Sequence, residues 1–384
     1  MSESSAAASI LFTIRDHGPL SRADVSRRTR LSQSAVSTLA RELLERGVIQ
    51  EVGIRREELG RPSIMLQIRP ERAFFAGFSI TGDEARGVLT DLAGTVRGKA
   101  VLPATDSSPA GIVALLRTLR DDLLEIAGVD EAALRGAGLA LSGLIDGSRG
   151  ACIQSTVLGW HNVPVAELLE RSLGVPVSVE NDANAVALGE RLFGAAQRHD
   201  NFAVLSVGQG IGAGVFIAGR LHRGAHGVSS ELGHCTIDPG GPECRCGKRG
   251  CLEAVAAVPV LLEEARAQGL DAETLDRLEE LAEAGEVRAA AVLDRAGHAL
   301  GLALSHLVNL FSPELVIVTG SGTRVGPTLE AAVSASYSKH VLPMLPDRPK
   351  LQFRHEDGAV WARGAAGLAA SAYLSDGGEV IAAM

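Results

Sequence analysis

Apolar residues follow two rhythms along this chain, and the change between them falls near Pro70. From Ala6 to Asp16 the spacing of Ile10, Leu11 and Ile14 predicts an amphipathic helix that Gly18-Pro19 ends. Ser21 opens a second short helix carrying Ala23 and Val25, with Asp24 where a capping box needs an acid. Ser32 opens a third, whose stripe of Val36, Leu39, Leu43 and Leu44 runs to a stop at Gly47. Val48 to Val52 and Ile64 to Ile68 then read as strands joined by the basic loop Gly53 to Ser63. Three short helices with a tight second turn, followed by a hairpin, predict a winged helix-turn-helix over residues 1–70. The third helix turns Gln33, Ser34, Ser37, Thr38 and Arg41 away from its apolar stripe, and such side chains bond base edges and phosphates. In the wing, Arg55, Arg56 and Arg61 are placed for backbone phosphate, with Arg61 a candidate for a minor groove.

Beyond Pro70 the pattern becomes short apolar runs between glycine turns. Phe75-Ala-Gly-Phe-Ser-Ile, Gly87-Val-Leu-Thr and Val96 predict three strands in a meander. Some 127 residues later Phe202-Ala-Val-Leu-Ser-Val, Gly214-Val-Phe-Ile and Gly219-Arg-Leu repeat the scheme. Two such units, each followed by helices and further strands, predict a duplicated α/β domain over 71–384, with lobes of about 71–190 and 191–384 and a cleft between them. The turn Gly208-Gln-Gly-Ile-Gly-Ala-Gly is suited to phosphate, because glycine lets backbone N–H groups approach oxygen closely. Val177 to Asn181 predicts a strand and Ala183 to Phe193 a helix, while Leu141 to Asp146 predicts a strand and turn lining the cleft. Ala257 to Gly301 is acidic and helical, and Gly301 to Phe311 reads as a core helix feeding the strand at Leu315. His298 and His306 on this segment are expected to be structural, Trp160 either stacks on a ligand ring or packs, and the chain from Ser375 is expected to fray.

With 384 residues and 46% hydrophobic content, the chain can bury two or three domain cores. No apolar run is long enough to span a bilayer, and the start lacks the pattern of a signal peptide, so a cytoplasmic protein without membrane contact is expected. The net charge of −9 hides an asymmetry: residues 1–70 hold 11 Arg and no Lys against 8 acids, leaving −12 for the rest. Nucleic acid is therefore expected at the front of the chain. No G-x-S-x-G elbow, Walker loop or H-E-x-x-H is present, which leaves hydrolase and metalloprotease readings without a motif.

Candidate chemistry concentrates between Glu231 and Glu253. His234, Cys244, Cys246 and Cys251 place one imidazole and three thiols within 18 residues, separated by Gly and Pro. That is a ligand set for one structural zinc per chain, since tetrahedral zinc takes Cys and His and four protein ligands leave no position to activate water. The alternatives are buried free thiols or a redox pair. Five cysteines, mostly spent on one cluster, suggest a reducing compartment. Cys235 and Cys152 are read as small buried hydrophobes.

The run E-L-G-H, nine residues, C-R-C-G-K-R-G-C-L-E resembles the signature of the ROK family, repressors and sugar kinases sharing one actin-like fold. The resemblance covers roughly 71–384. It implies zinc on His234, Cys244, Cys246 and Cys251, and a sugar held by Asn181, Asp182, Glu231, His234 and Glu253, with Asp182 the general base if the chain were a kinase. The L-S-x-S-x-V-S pattern followed by G-R-P also resembles the DNA-binding domain of ROK repressors. One element departs from the kinases. They have D-x-G-G-T in the first phosphate turn, its Asp serving magnesium, whereas this chain has Ser79-Ile-Thr-Gly-Asp83. Val316-Ile-Val-Thr-Gly-Ser-Gly stands where the family contacts adenosine, and a strand ending in glycine has a structural role as well.

The expected protein is a sugar-responsive repressor that reads double-stranded operator DNA as a homodimer or homotetramer and has no effective kinase activity, because phosphoryl transfer needs its metal and donors as well as a base. The alternatives are an ATP-dependent sugar kinase with an added DNA-binding domain, which would need Asp83 to replace the missing carboxylate, and a ligand-free DNA-only regulator.

Overall fold

The structure is a computed structural model and describes residues 3–55, 62–81, 83–225, 228–320, 326–354 and 358–378. The front of the chain folds as α1 (Glu3–His17), β1 (Leu20–Ser21), α2 (Arg22–Thr29), α3 (Gln33–Glu45), β2 (Ile49–Arg55) and β3 (Ser63–Ile68). Next come β4 (Phe74–Thr81), β5 (Glu84–Asp91), β6 (Val96–Pro103), α4 (Pro109–Ala127) and β7 (Leu134–Leu141). A small sheet of β8 (Leu144–Asp146), β9 (Ala151–Ser155) and β10 (Trp160–Val163) precedes α5 (Val165–Leu173), β11 (Val177–Asn181) and α6 (Asp182–Phe193). The repeat begins with β12 (Phe202–Val207), β13 (Ile211–Ile217) and β14 (Arg220–Leu221). It continues through α7 (Leu252–Ala256), α8 (Val258–Ala267), α9 (Leu275–Glu283), α10 (Val287–Phe311), β15 (Leu315–Thr319), α11 (Pro327–His340) and β16 (Leu351–Phe353), and α12 (Val360–Ser375) closes the fold.

Two compact units emerge. Met1–Asn181, Leu188–Arg198 and Trp361–Met384 form the first; Asp182–Ala187 and His199–Val360 form the second. This differs from a division at 190, because α12 returns to the first unit and the winged helix is continuous with it.

Within the first unit, Ile10, Leu11, Ile14, Val36 and Leu43 bury the three helices against one another and against the sheet β1-β3-β2. The starts of α2 and α3 are fixed by hydroxyls. Ser21 Oγ accepts from the Asp24 amide while Asp24 Oδ2 accepts from the Ser21 amide, a complete capping box, and Ser32 Oγ accepts from Ala35 at 3.2 Å.

The larger sheet runs β11-β7-β4-β5-β6, a three-stranded antiparallel meander whose first strand pairs in parallel with β7. Gly77 and Gly138 are register partners, and both must be glycine. A Cβ on Gly77 would lie 2.0 Å from the Ala362 carbonyl oxygen, and one on Gly138 1.9 Å from that of Ala365, so α12 lies directly on the strands. The opposite face takes α4, with Leu119 and Leu123 over Gly87. The end of α12 is held too. Arg46 of the winged helix donates to the Gly377 carbonyl at 2.8 Å, so the tail expected to fray from Ser375 is docked through Gly378. Residues 379–384 lie outside the described residues.

The second unit repeats the order as β14-β13-β12-β15-β16, its meander again joined to two parallel strands. Its core gathers on α10, where Val292, Leu293, Ala296, Leu300, Ala303, Leu304 and Val308 are all buried. The paired five-stranded sheets are the duplicated α/β architecture that the two meanders predict. Among the described residues no helix is long and apolar enough to cross a membrane.

Gly77→Ala is expected to lower unfolding free energy by about 3 kcal/mol, the upper range for overpacking a tight core. Denaturant midpoints check this; a loss below about 0.5 kcal/mol would contradict the close helix-on-strand contact.

Candidate functional site

The DNA-facing candidates lie on α3. Gln33, Ser34, Thr38 and Arg41 are exposed and Ser37 is half-buried, while Val36, Leu39, Ala40 and Leu43 face inward. A 3.6-residue period produces this division. Arg55 is less free than its place in the wing suggested. It pairs with the buried Asp24 at 2.9 Å, as Arg27 also does, and so fixes β2 to α2. Arg56 and Arg61 lie outside the described residues.

In the second unit the loop between β14 and α7 folds back on itself through its own backbone. Cys244 N donates to Lys248 O, Gly247 N to Cys244 O, Gly250 N to Pro242 O and Leu252 N to Cys235 O. These closures bring the donor atoms of His234, Cys244, Cys246 and Cys251 within 4.8 Å of one another. His234 Nδ1 is 3.6 Å from Cys244 Sγ, and Cys246 Sγ is 3.7 Å from Cys251 Sγ. Burial and the two neighbouring thiols push the Cys251 thiol up to about 12. A cation among these atoms reverses that preference, because a coordinating thiol is deprotonated. The set fits one tetrahedral ion.

Cys152 is buried in the first core, and burial raises its thiol to about 11. Cys235 departs from expectation: it is exposed, its Sγ lying 3.8 Å from the Glu231 carbonyl. The Cys235–Leu252 backbone bond points its side chain out of the knuckle rather than into a core.

Glu253 sits in the first turn of α7, which Cys251 precedes as N-cap, and it is buried. Its Oε2 accepts from the Ile211 amide at 3.0 Å and from Arg245 at 2.9 Å, and Arg245 Nε lies 2.8 Å from Oε1. A Cβ on Gly210 would come within 2.7 Å of both side chains, so a substitution there would push on the Arg245–Glu253 pair. Asp182 opens α6 beside that turn, its Oδ1 3.9 Å from where a Gly212 Cβ would stand. Glu231 completes the group. Its carboxyl is raised above the ordinary value, first by the protein packed around it and then by Asp182 and Glu253, against the pull of His234.

Asp182, Glu231, His234 and Glu253 thus lie in one electrostatic neighbourhood. Asn181 is the last residue of β11 in the first unit, where its Nδ2 donates to the Gly143 carbonyl at 3.2 Å.

Ser79 lies near the end of β4, buried, its hydroxyl making no hydrogen bond among the described residues. Asp83 is exposed in the following turn, and Gly82 lies outside the described residues, as do Ser321 and Gly322 after β15. Trp160 packs: it is buried, with Nε1 donating to the Ser107 carbonyl at 2.7 Å. His298 meets His340 edge to face within the helical layer. The sequence reading missed Arg245, whose signal was a basic residue between two thiols and eight positions before Glu253.

Comparison with known proteins matches this architecture. Residues 4–56 fit the MarR family and residues 75–372 the ROK family. The xylose repressor of Bacillus spizizenii is 31% identical over 336 residues, 88% of this chain and 87% of its own length. A ROK family transcriptional regulator described as a homolog of the E. coli MLC protein superposes with a TM-score of 0.84 at 26% identity, covering 98% of this chain and 97% of that one. A ROK family glucokinase from Streptomyces griseus, solved with glucose and AMPPNP, gives a TM-score of 0.68 at 28% identity and covers 77% of this chain and 99% of its own. The glucokinase leaves about a quarter of this chain unmatched, whereas the regulator covers nearly all of it. This chain belongs to the ROK family, with a MarR-type winged helix ahead of its ROK domain.

Proposed function

We propose that this protein is a sugar-responsive transcriptional repressor. The observation that carries the reading is one chain holding both a winged helix with an exposed polar α3 face and a clustered Asp182, Glu231, His234 and Glu253. Gln33, Ser34, Ser37, Thr38, Arg41 and Arg61 contact an operator, two copies reading paired half-sites as a dimer or tetramer. Asn181, Asp182, Glu231, His234 and Glu253 hold a monosaccharide, whose hydroxyls each need a placed donor or acceptor. The likeness to a xylose repressor makes D-xylose the first effector to try. The sugar controls DNA by binding one conformation better than the other, a coupling of about 1–3 kcal/mol in typical systems.

One zinc ion per chain on His234, Cys244, Cys246 and Cys251 stiffens the loop. Ligation through His234 Nδ1, the nitrogen nearer Cys244, leaves Nε2 for a sugar hydroxyl.

The likeness to a glucokinase and the complete 208–214 turn favour a kinase as the second reading. Against it, Ser79 is buried where a magnesium carboxylate would be needed, and the Ile211 amide of the second turn is committed to Glu253. A base without metal and phosphate donors does not drive phosphoryl transfer.

Asp182→Ala is expected to weaken D-xylose binding by about 10- to 100-fold, the scale of a lost charged hydrogen bond, while leaving operator affinity intact. Calorimetry on the full chain reads the first and anisotropy the second; unchanged sugar affinity would remove Asp182 from the site, and sugar-dependent ADP release by the wild type would favour the kinase. Metal analysis of pure protein should find one zinc per chain, and far less than one would refute the ligand assignment.

Because the Glu231 pKa is raised in the folded state, its ionised form opposes folding, and that penalty disappears as pH falls below the ordinary carboxylate value. Sugar-free protein should therefore lose less stability on acidification through this window than Glu231→Gln. Melting curves that run parallel with pH would show that the ionised Glu231 imposes no such penalty.

A further inference from the structure

Arg245 occupies a position that neither the zinc set nor the sugar set uses. It stands between Cys244 and Cys246, and its guanidinium pairs with Glu253: a terminal nitrogen donates to Oε2 at 2.9 Å, and Nε lies 2.8 Å from Oε1 as an ion-pair contact, Oε1 having no hydrogen-bond partner among the described residues. Glu253 is buried, and the same Oε2 accepts from Ile211 N at 3.0 Å. A continuous line of bonds therefore runs from the thiol knuckle through Arg245 to Glu253 and on to the backbone of the 208–214 turn. The turn is shaped around this line, since a Cβ on Gly210 would meet an Arg245 terminal nitrogen and Glu253 Oε2 at 2.7 Å each. The Arg245 side chain is 45% exposed, so its role is the grip on Glu253 rather than the filling of a core.

We propose that Arg245 is a positioning residue of the sugar site, the strut through which the metal-ligating loop holds Glu253 and the 208–214 turn. The inference rests on the sugar-sensing reading above. Its physical basis is a charge-assisted hydrogen bond from Arg245 to the same Oε2 that Ile211 N holds, with the positive guanidinium also beside Oε1. Such a bond is directional as well as charged, and an ammonium, as a point charge, replaces its charge but not its geometry. The backbone bonds of the loop set the positions of Cys244 and Cys246, and an ion that gathers their sulfurs would hold the backbone on either side of Arg245 more firmly. Sugar affinity then depends on the metal through this one side chain, although the metal itself touches no sugar.

The test uses full-length metal-loaded protein and two readouts. The first is deuterium exchange at peptides covering 208–214, which needs no sugar. In the wild type, chelation should speed exchange there about tenfold, the order at which supporting partners of site ligands act. Arg245→Ala should exchange at that faster rate with one metal per chain still bound, and chelation should add less than about twofold, the non-additivity expected of groups acting in one line. Arg245→Lys should fall between the two. The second readout is calorimetric titration with D-xylose and then N-acetylglucosamine, in which Arg245→Ala weakens the bound sugar about tenfold.

Wild-type exchange in Arg245→Ala, unchanged sugar affinity, loss of metal from that variant, or wild type isolated without metal would each overturn the proposal. Should the wild type bind neither sugar, the sugar-sensing reading falls, and with it the positioning of sugar; the exchange data then decide separately whether Arg245 links the knuckle to the turn.

Discussion

Asp182, Glu231 and Glu253 repel one another, and the second unit keeps them together nonetheless. The Glu231 carboxyl is raised first by its burial and then by Asp182 and Glu253, with His234 opposing them. Three restraints offset the repulsion, each from a different part of the chain. The backbone bonds of the knuckle fix where Glu231 and Glu253 leave the loop, Arg245 and Ile211 N neutralise and orient Glu253, and the first turn of α6 fixes Asp182. A preformed group of acceptors of this kind suits a polyhydroxylated ligand, whose hydroxyls donate to carboxylate oxygens.

The first unit meets a different demand, the fixed seating of a basic reading head. Its capping hydroxyls at Ser21 and Ser32 set where α2 and α3 begin, and so which side chains α3 turns outward. The head is then tied to the rest of the unit at two places, one of them the C-cap of α3. Arg46 reaches the Gly377 carbonyl after α12, and Arg191 near the end of α6 pairs with Asp16 of α1 at 3.4 Å. The first tie ends in the turn that follows α12 and the second in α6 itself. Because α12 lies on the glycine pair of the central sheet, the seat itself has little room to shift.

Local chemistry made much of this legible in the sequence. The capping residues, the α3 stripe, both meanders and the four-ligand loop involve neighbours close in the chain, where periodicity and spacing carry the information. Asp182 and the glutamates of the loop were legible only through the family motif, because nothing in spacing says that residue 182 meets residue 231. The same limit hid the Arg245–Glu253 pair, the return of α12 to the first unit and the docked tail at Gly377. Trp160 stayed ambiguous for a related reason: whether an indole stacks on a ligand or packs is decided by residue 107, over fifty positions away. Cys235 was misread because its neighbours in sequence are ligands, while its backbone bond to Leu252 turns the side chain outward.

The central claim is that occupancy of the carboxylate group changes DNA affinity, and one equilibrium measures it. Fluorescence anisotropy of the full-length protein on DNA from upstream of its own gene should be recorded at fixed salt, because phosphate contacts make affinity steeply salt-dependent. D-xylose and a panel of aldoses and amino sugars should each be added at saturating concentration. At least one sugar that binds the protein is expected to shift the operator dissociation constant by about 5-fold or more, the lower end of typical allosteric coupling. Operator affinity that stays the same with every sugar the protein binds would contradict the account.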